Sequence, residues 1–319
     1  MAKKKINISG VSLDVAETIK KEIIESEKEI KERLLTGKKI GISISDSEDI
    51  KSLGFSNAHQ NDAIIEFVRH ILILDGQIVY GGDLRNNGFT FLFSELAYQY
   101  RDKSNSKKDH LVNFSSYPTY LKINRTQELE FKKNRVKLRK IEPPKSVKST
   151  STDFFKPDSL ENQICWAESL TKMRTEMIDY SDFCIFLGGR STKFSGKIPG
   201  LLEEVLIAFR TSKPIYLIGA FGGITKAIID ALGGENPEQI TESFQRKEQK
   251  YSDFLDNYLL AQGVDYSKII EELNGMGIKS LSNGLSDEEN SILFNTIHIP
   301  EMIFYVLKGL KKIYKIDRS

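Results

Sequence analysis

The sequence predicts an α/β fold, a doubly wound parallel sheet with helices on both faces and further helices added at the C-terminal end. Two observations predict this fold. Short apolar segments alternate with longer amphipathic segments of helical period from residue 39 to about residue 235. Several of the apolar segments end in glycine or in short polar side chains, as parallel strands do where they turn into helices.

The chain of 319 residues divides into three predicted regions. Residues 1–38 are predicted to form an N-terminal helix, because apolar residues recur at helical spacing among many lysines and glutamates. This helix packs on the main domain by one stripe or forms a coiled-coil arm. Residues 39–235 are predicted to form the sheet domain, and residues 236–319 a helical C-terminal appendage.

In the first half the pattern runs strand, helix, strand, helix, strand. Gly76 follows the first of these helices, as a C-terminal stop would. A further strand is indicated after residue 135, although the rest of residues 121–142 has no clear pattern. The predicted strands are 39–45, 77–80, 111–116 and 136–141, and the predicted helices are about 58–75 and 88–100.

The alternation resumes after a polar loop at residues 143–158. From Asn236 onward the apolar strands stop and only amphipathic helical patterns remain. The second half is predicted to contain helices at 160–180, 201–210 and 223–232, strands at 183–187 and 214–218, and C-terminal helices at about 237–261, 266–274, 286–294 and 300–315.

Composition excludes several classes of protein. Lys and Arg number 46 against 44 Asp and Glu, so the net charge of +2 gives no general attraction to nucleic acid or to a membrane. No apolar run approaches the roughly 18 residues of a membrane span. Cys165 and Cys184 lack metal-like spacing and suggest no disulfide framework, which favours the cytoplasm. We expect no metal site, and the sequence indicates no cofactor.

Four predicted strand ends lead into polar or glycine-rich turns, which are the candidate ligand-binding positions. Glycine permits positive φ and close approach of the backbone, and N–H groups at the following helix starts can hold phosphate. Four such turns in one sheet predict a single cleft for a nucleotide-type ligand, although neither GxGxxG nor the Walker A pattern is present. The candidates are Ser45, Asp46, Gly81, Gly82, Asp83, Arg85, Thr90, Gly188, Gly189, Gly222 and Gly223.

The stretch from Met173 to Glu204 contains both a cation and carboxylates near such a turn. Arg174 lies on the helix before a strand, and Pro199-Gly200 opens the next helix, with Glu203 and Glu204 in its first turn. These side chains are candidates for chemistry at the cleft. They also suit a purely structural role, since glutamates favour a helix N-terminus and Arg174 can form an ion pair with either of them.

The motifs of this sequence resemble those of the SLOG superfamily, the Rossmann-like group that joins LOG phosphoribohydrolases, DprA/Smf proteins and the N-terminal region of TRPM channels. The resemblance covers about residues 39–235. The first half is more similar to the TRPM-like branch found in prokaryotic conflict systems. The matching positions are Arg174 and Met177, Asp182, Leu187-Gly188-Gly189, Pro199-Gly200 and Glu204 in the second half, and Leu53-Gly54, Tyr80–Leu84 and Gly88–Thr90 in the first.

The resemblance implies catalytic roles for two side chains. In LOG enzymes the matching Arg and Glu are associated with cleavage of an N-glycosidic bond, so Glu204 would stabilise charge on the sugar or activate water, and Arg174 would hold an anion or the departing group. Glu203 is a possible substitute for Glu204. Two departures from the pattern disfavour a simple nucleoside monophosphate: residues 190–198 form an additional loop, and Leu201 occupies the position of the phosphate-binding Thr.

Two functions therefore follow as hypotheses. One is an enzyme that cleaves an N-glycosidic bond in a nucleotide or NAD-derived molecule. The other is a sensor of a nucleotide signal that controls assembly or a partner protein. The resemblance also implies a homo-oligomer formed through the helices around Arg174 and after Pro199, and a setting in bacterial antiphage defence. From the balanced charge and the short apolar runs we expect neither nucleic acid nor a membrane as partner.

Overall fold

The computed structural model describes residues 33–82, 84, 88–100, 108–147 and 151–314. Most of the N-terminal helix predicted for residues 1–38 therefore lies outside the described residues. The described residues form a six-stranded sheet in which every pairing is parallel. Its strands are β1 (Lys39–Ser45), β2 (Gln77–Gly81), β3 (Leu111–Ser116), β4 (Val136–Ile141), β5 (Phe183–Gly188) and β6 (Ile215–Ile218).

The helices that flank the sheet lie close to the predicted positions, except the helix Arg125–Lys133, which falls in a stretch where the sequence showed no clear pattern. They are α1 (Asn57–Ile73), α2 (Phe89–Tyr100), α3 (Arg125–Lys133), α4 (Leu160–Tyr180), α5 (Gly200–Arg210) and α6 (Gly223–Leu232). The later helices are α7 (Glu242–Gln245), α8 (Gln249–Phe254), α9 (Tyr266–Met276), α10 (Asp287–Asn295) and α11 (Ile299–Ile313).

The prediction of one continuous helix at 237–261 is wrong. This segment breaks into short helical pieces, with extended backbone at Thr241 and Glu248 before α7 and α8. The Thr241 hydroxyl accepts the N–H of Phe244, so this residue starts a new helix instead of continuing the previous one. Amphipathic spacing alone did not reveal these breaks, because the apolar residues keep helical spacing across them.

The strand order is β4-β3-β2-β1-β5-β6. The chain moves outward from β1 to β4 and then returns to place β5 on the other side of β1, with Ser45 paired to Gly188. The two halves therefore diverge between β1 and β5. This confirms the doubly wound, Rossmann-like α/β fold, and such a switch point is where ligands bind at the carboxyl ends of the strands.

Helices cover both faces of the sheet, and each face has its own apolar core. Alternate residues of β5 divide between the cores: Cys184 and Phe186 face α4, α5 and α6, while Phe183 and Ile185 face α1 and the last helices. The helices after residue 236 join both cores. Residues of α9 extend the first core, and residues of α10 and α11 extend the second.

Among the residues that the structure describes, no helix combines the length and the apolar character needed to cross a lipid bilayer.

Candidate functional site

A cavity of about 800 Å³ opens at the carboxyl edge of the sheet, beside the switch point. Its volume lies in the upper part of the range of small-molecule pockets, about 300–1,000 Å³. Three sets of residues line it: strand ends of β1, β2 and β3, one face of α4 with the start of α5, and the loop between β5 and α5. The polar and charged lining residues are Ser43, Ser45, Ser116, Thr119, Lys122, Arg174, Arg190, Lys193, Ser195 and Glu204.

A buried cluster of Arg174, Glu203, Glu204 and Ser43 lies at one end of this cavity. The Nη1 group of Arg174 donates to Glu203, and its Nε lies 3.3 Å from Oε1 of Glu204. That Nε makes an ion pair without an aligned hydrogen bond. The Ser43 hydroxyl donates to the second oxygen of Glu204. The cluster joins β1, α4 and α5 where the two halves of the sheet diverge.

Two glycines make room for the Arg174 guanidinium. A Cβ atom at Gly200 would lie 2.7 Å from Nη2, and one at Gly196 would lie 2.6 Å from Nη1. Both distances are shorter than any ordinary contact, so a larger residue at either position would displace the arginine. The Gly200 of the Pro-Gly turn therefore serves the site through its small size.

Burial dominates the electrostatics of the cluster. Desolvation raises the pKa of Glu204 above its usual value, against the opposing effects of Arg174 and the Ser43 hydroxyl. Desolvation also disfavours the charged form of Arg174, but the two glutamates outweigh it and raise the pKa of the guanidinium. The arginine is thus a permanent cation, whereas Glu204 is a carboxyl group whose proton is held more tightly than in water.

Six of the predicted site residues line the same cavity: Ser45, Gly81, Gly82, Arg174, Gly200 and Glu204. Glu203 does not line this cavity, although it also pairs with Arg174. It accepts the Thr171 hydroxyl at 2.5 Å and borders a second cavity of about 500 Å³ that also contacts α9. Asp83 and Arg85 lie outside the described residues.

The other glycine turns lie at the same edge of the sheet, but the protein itself occupies them. The N–H of Gly189 donates to the carbonyl of Ser45 at 2.9 Å, and the N–H of Ile224 donates to the carbonyl of Gly189 at 2.9 Å. The N–H of Gly223 donates to the carboxylate of Asp49 at 2.8 Å. Gly188, Gly189, Gly222 and Gly223 therefore stabilise the turns instead of lining the cavity.

Three further predicted residues have structural partners. Asp46 forms an exposed ion pair with Arg190 at 3.1 Å. The hydroxyl of Thr90 is fully buried and donates to the carbonyl of Gly82 at 2.9 Å. Pro199 is buried directly before α5, and its carbonyl accepts the N–H of Glu203 at 3.0 Å.

Glu48 was not among the site residues predicted from the sequence, although its carboxylate holds the loop between β5 and α5 in place. Its carboxylate accepts hydrogen bonds at 3.0–3.2 Å from the backbone N–H and the hydroxyl of both Ser191 and Thr192. The loop then returns over the cavity through Lys193 and Ser195. Sequence spacing does not detect this contact, because the residues that form it are far apart in the chain and no local pattern links them.

Trp166 and Leu170 of α4 were also missed as cavity residues. They precede Arg174 at intervals of four, so the three side chains lie on one face of the helix. This spacing is visible in the sequence and, once Arg174 is placed in a cleft, predicts that Trp166 lines the same cleft.

The part of the chain that the structure describes contains no group of three or more His, Cys, Asp or Glu residues placed to hold a metal ion.

The model of the family described as SLOG cluster2 matches residues 34–293. No curated protein matches the chain.

Proposed function

This chain belongs to the SLOG superfamily, and from that premise we propose that it binds a nucleotide-derived molecule and cleaves its N-glycosidic bond. Family membership supports nucleotide binding or processing in general. The observation that supports cleavage is the buried Arg174–Glu204 cluster, which lies at the end of a large cavity beside the switch point of the sheet.

The proposed reaction is hydrolysis at the anomeric carbon of a ribose. The bond between that carbon and the base breaks, and the base leaves with the bonding electrons. A purine takes up the proton that the attacking water loses, whereas nicotinamide leaves as a neutral ring and that proton goes to solvent. Water adds its oxygen to the carbon. Positive charge develops on the sugar ring in the transition state, and a carboxylate close to the ring stabilises it, as in glycosidases.

Glu204 is the proposed carboxylate, and it stabilises the sugar cation or accepts the proton of the attacking water. Arg174 is the proposed anion-binding group. No hydrogen bond from its Nη2 is found within the described residues, and the side chain lines the cavity, so this nitrogen is available to a phosphate of the ligand. Ser43 orients Glu204 through its hydrogen bond.

A second candidate function is a sensor that binds such a nucleotide without cleaving it. The specific observation in its favour is that both oxygens of Glu204 already have partners, Arg174 on one and Ser43 on the other. Leu201 adds to this, because its apolar side chain lines the cavity where the resemblance places a hydroxyl. In that case the cluster would shape the binding site. The response to the ligand would be a change in assembly or in a partner effector, such as one in antiphage defence.

The decisive experiment incubates the protein with AMP, NAD, ADP-ribose and cyclic ADP-ribose and separates the products by chromatography. For the enzyme, Glu204→Gln is expected to lower kcat by roughly 10²- to 10⁴-fold while ligand binding changes little, because the charge acts mainly in the transition state. The matched control is Glu66→Gln, a partly exposed glutamate of α1 that pairs with Arg69 away from the cavity, and this variant should retain full turnover.

The outcomes separate the two functions. If wild-type protein binds one of these molecules but leaves it intact after long incubation, the enzyme hypothesis is excluded and the sensor hypothesis is favoured. For the sensor, Glu204→Gln and Arg174→Ala would change only the affinity measured by calorimetry. Binding of none of the four would contradict both functions.

A further inference from the structure

The cavity continues beyond the Arg174–Glu204 cluster to the carboxyl end of β3. Ser116, Thr119 and Lys122 line that end, and Trp166 of α4 lies with them along the same cavity. We call these four residues the β3-end subsite. None of them belongs to the motifs through which the sequence resembles its family, and the proposed cleavage chemistry uses none of them.

Two independent distances separate the subsite from the cluster. Two strand spacings lie between β3 and β1, which carries Ser43 of the cluster, and this amounts to roughly 9–10 Å across the sheet. Eight positions of α4 separate Trp166 from Arg174, which amounts to about 12 Å along the helix. Both distances exceed the length of a ribose phosphate, so a ligand that fills the cavity must extend beyond one sugar and its phosphate.

Trp166 is the only tryptophan of the chain, and its indole ring is held in place. The Nε1 group donates to the carbonyl of Phe155 at 3.1 Å, and the ring of Phe154 meets the indole edge-on at 6.0 Å between centroids. The indole remains half-buried and lines the cavity. A fixed, partly exposed aromatic face is the feature on which a base stacks.

The Ser116 hydroxyl and the Lys122 ammonium of the subsite have no hydrogen-bond or carboxylate partner among the described residues. Ser116 is 2% exposed and lines the cavity, yet its hydroxyl has no hydrogen bond within the described residues. Because this side chain lines the cavity, its hydroxyl is free to form a hydrogen bond with a polar group of a ligand. The Lys122 ammonium lies over the ring of Phe154 at 3.8 Å, and no carboxylate among the described residues pairs with it.

We propose that the β3-end subsite binds a second aromatic ring of the ligand, stacked on Trp166, together with an adjacent anionic group held by Lys122 and Ser116. This inference rests on the proposed function, because the first sugar must lie at Glu204 and Arg174. The preferred ligand is then dinucleotide-like, with two rings joined through a phosphate bridge. A mononucleotide would fill only part of the cavity.

The test compares two probes by calorimetry: AMP, which has one ring, and di(adenosine-5′) diphosphate, which consists of two AMP units. Wild-type protein is expected to bind the dinucleotide more tightly than AMP by roughly five- to a hundredfold, the range of base–aromatic stacking. Trp166→Ala should reduce this ratio to near one and leave the affinity for AMP within about twofold, by the same stacking argument. Trp166→Phe retains an aromatic face and should keep most of the ratio.

Two matched pairs test the polar groups. Ser116→Ala is compared with Ser115→Ala, because Ser115 is a buried neighbour on β3 that does not line the cavity. Lys122→Gln is compared with Lys137→Gln, an exposed lysine on β4. Only Ser116→Ala and Lys122→Gln should weaken binding of the dinucleotide, and these variants remain informative if Trp166→Ala does not fold.

The outcomes distinguish this inference from the proposed function. If AMP binds to wild-type protein but not to Arg174→Ala, binding at the Arg174–Glu204 cluster is supported. If the dinucleotide then binds no better than AMP, or if its higher affinity survives in Trp166→Ala, the β3-end subsite is refuted while binding at the cluster stands. Failure of wild-type protein to bind either probe refutes both.

Discussion

The four side chains of the Arg174 cluster show how strongly burial changes a residue's chemistry. Arg174 and Glu204 are each less than a tenth exposed, so their charges interact without the screening that weakens surface pairs. Glu203 and Glu204 are adjacent in the sequence, yet they serve different cavities because successive residues of a helix point in different directions. The structural ion pair that the sequence left open is present, and it forms with both glutamates at once.

Titration of Glu204 should be visible in the stability of the protein. Burial raises the pKa of this carboxyl above its reference value of 4.5, so the folded state binds the proton more tightly than the unfolded state. The contribution of protonated Glu204 to the free energy of unfolding is then fully present below the pKa of the unfolded state. It is lost as pH rises through the pKa of the folded state. Each unit of the pKa difference corresponds to about 1.4 kcal/mol.

The measurement is urea unfolding of wild-type protein and Glu204→Gln over a series of pH values. Because Gln does not titrate, the stability of wild type relative to the variant should fall from pH 4 upward and become constant above the folded pKa. A relative stability that rises with pH would mean that Arg174 dominates over burial and holds the pKa of Glu204 low.

At the scale of elements, the sequence predicted the sheet better than the site. Strands such as β5 consist of apolar residues that are buried on both faces, and this continuous pattern is unambiguous. The glycine turns were recognised correctly as turns, but Asp49 and the backbone of the neighbouring turn occupy the N–H groups that a phosphate would need. Which partner fills a turn depends on residues from distant parts of the chain, and local spacing contains no information about them.

The start of α5 offers a direct test of how this element serves the site. Gly200→Ala places a methyl group 2.7 Å from the Arg174 guanidinium. We expect a loss of about 1–3 kcal/mol in the free energy of unfolding from overpacking, together with weaker nucleotide binding as the arginine moves. Denaturant unfolding and calorimetry with AMP measure the two effects.

The matched control for Gly200→Ala is Gly275→Ala in α9, where the added Cβ meets no atom within 4 Å. This change should raise the free energy of unfolding by about 0.5–1 kcal/mol, because alanine is the better helix former. If both variants gained stability and bound AMP like wild type, the space beside Arg174 would not be required for the site.

At the scale of the whole molecule, the helices after residue 236 contribute to the same apolar cores as the sheet. The family match ends at residue 293, and α11 follows it. Nevertheless Leu310 of α11 is 1% exposed and belongs to the same apolar core as Phe183 and Ile185 of β5, with which it lines a small cavity. A region that covers one face of a central strand is expected to fold together with that strand.

Unfolding of the described core should therefore be one cooperative transition that includes α11. Leu310→Ala is expected to lower the free energy of unfolding by about 2–5 kcal/mol, since a buried leucine leaves a cavity when truncated. Phe304→Ala, in the same helix but 56% exposed, should change it by roughly 0.5 kcal/mol or less.

Two probes are followed in urea: the fluorescence of Trp166, which lies in α4, and circular dichroism of all helices. If Leu310→Ala shifts both transitions together, α11 and the sheet form one folding unit. If it shifts only part of the dichroism and leaves the Trp166 transition in place, α11 folds separately from the sheet domain.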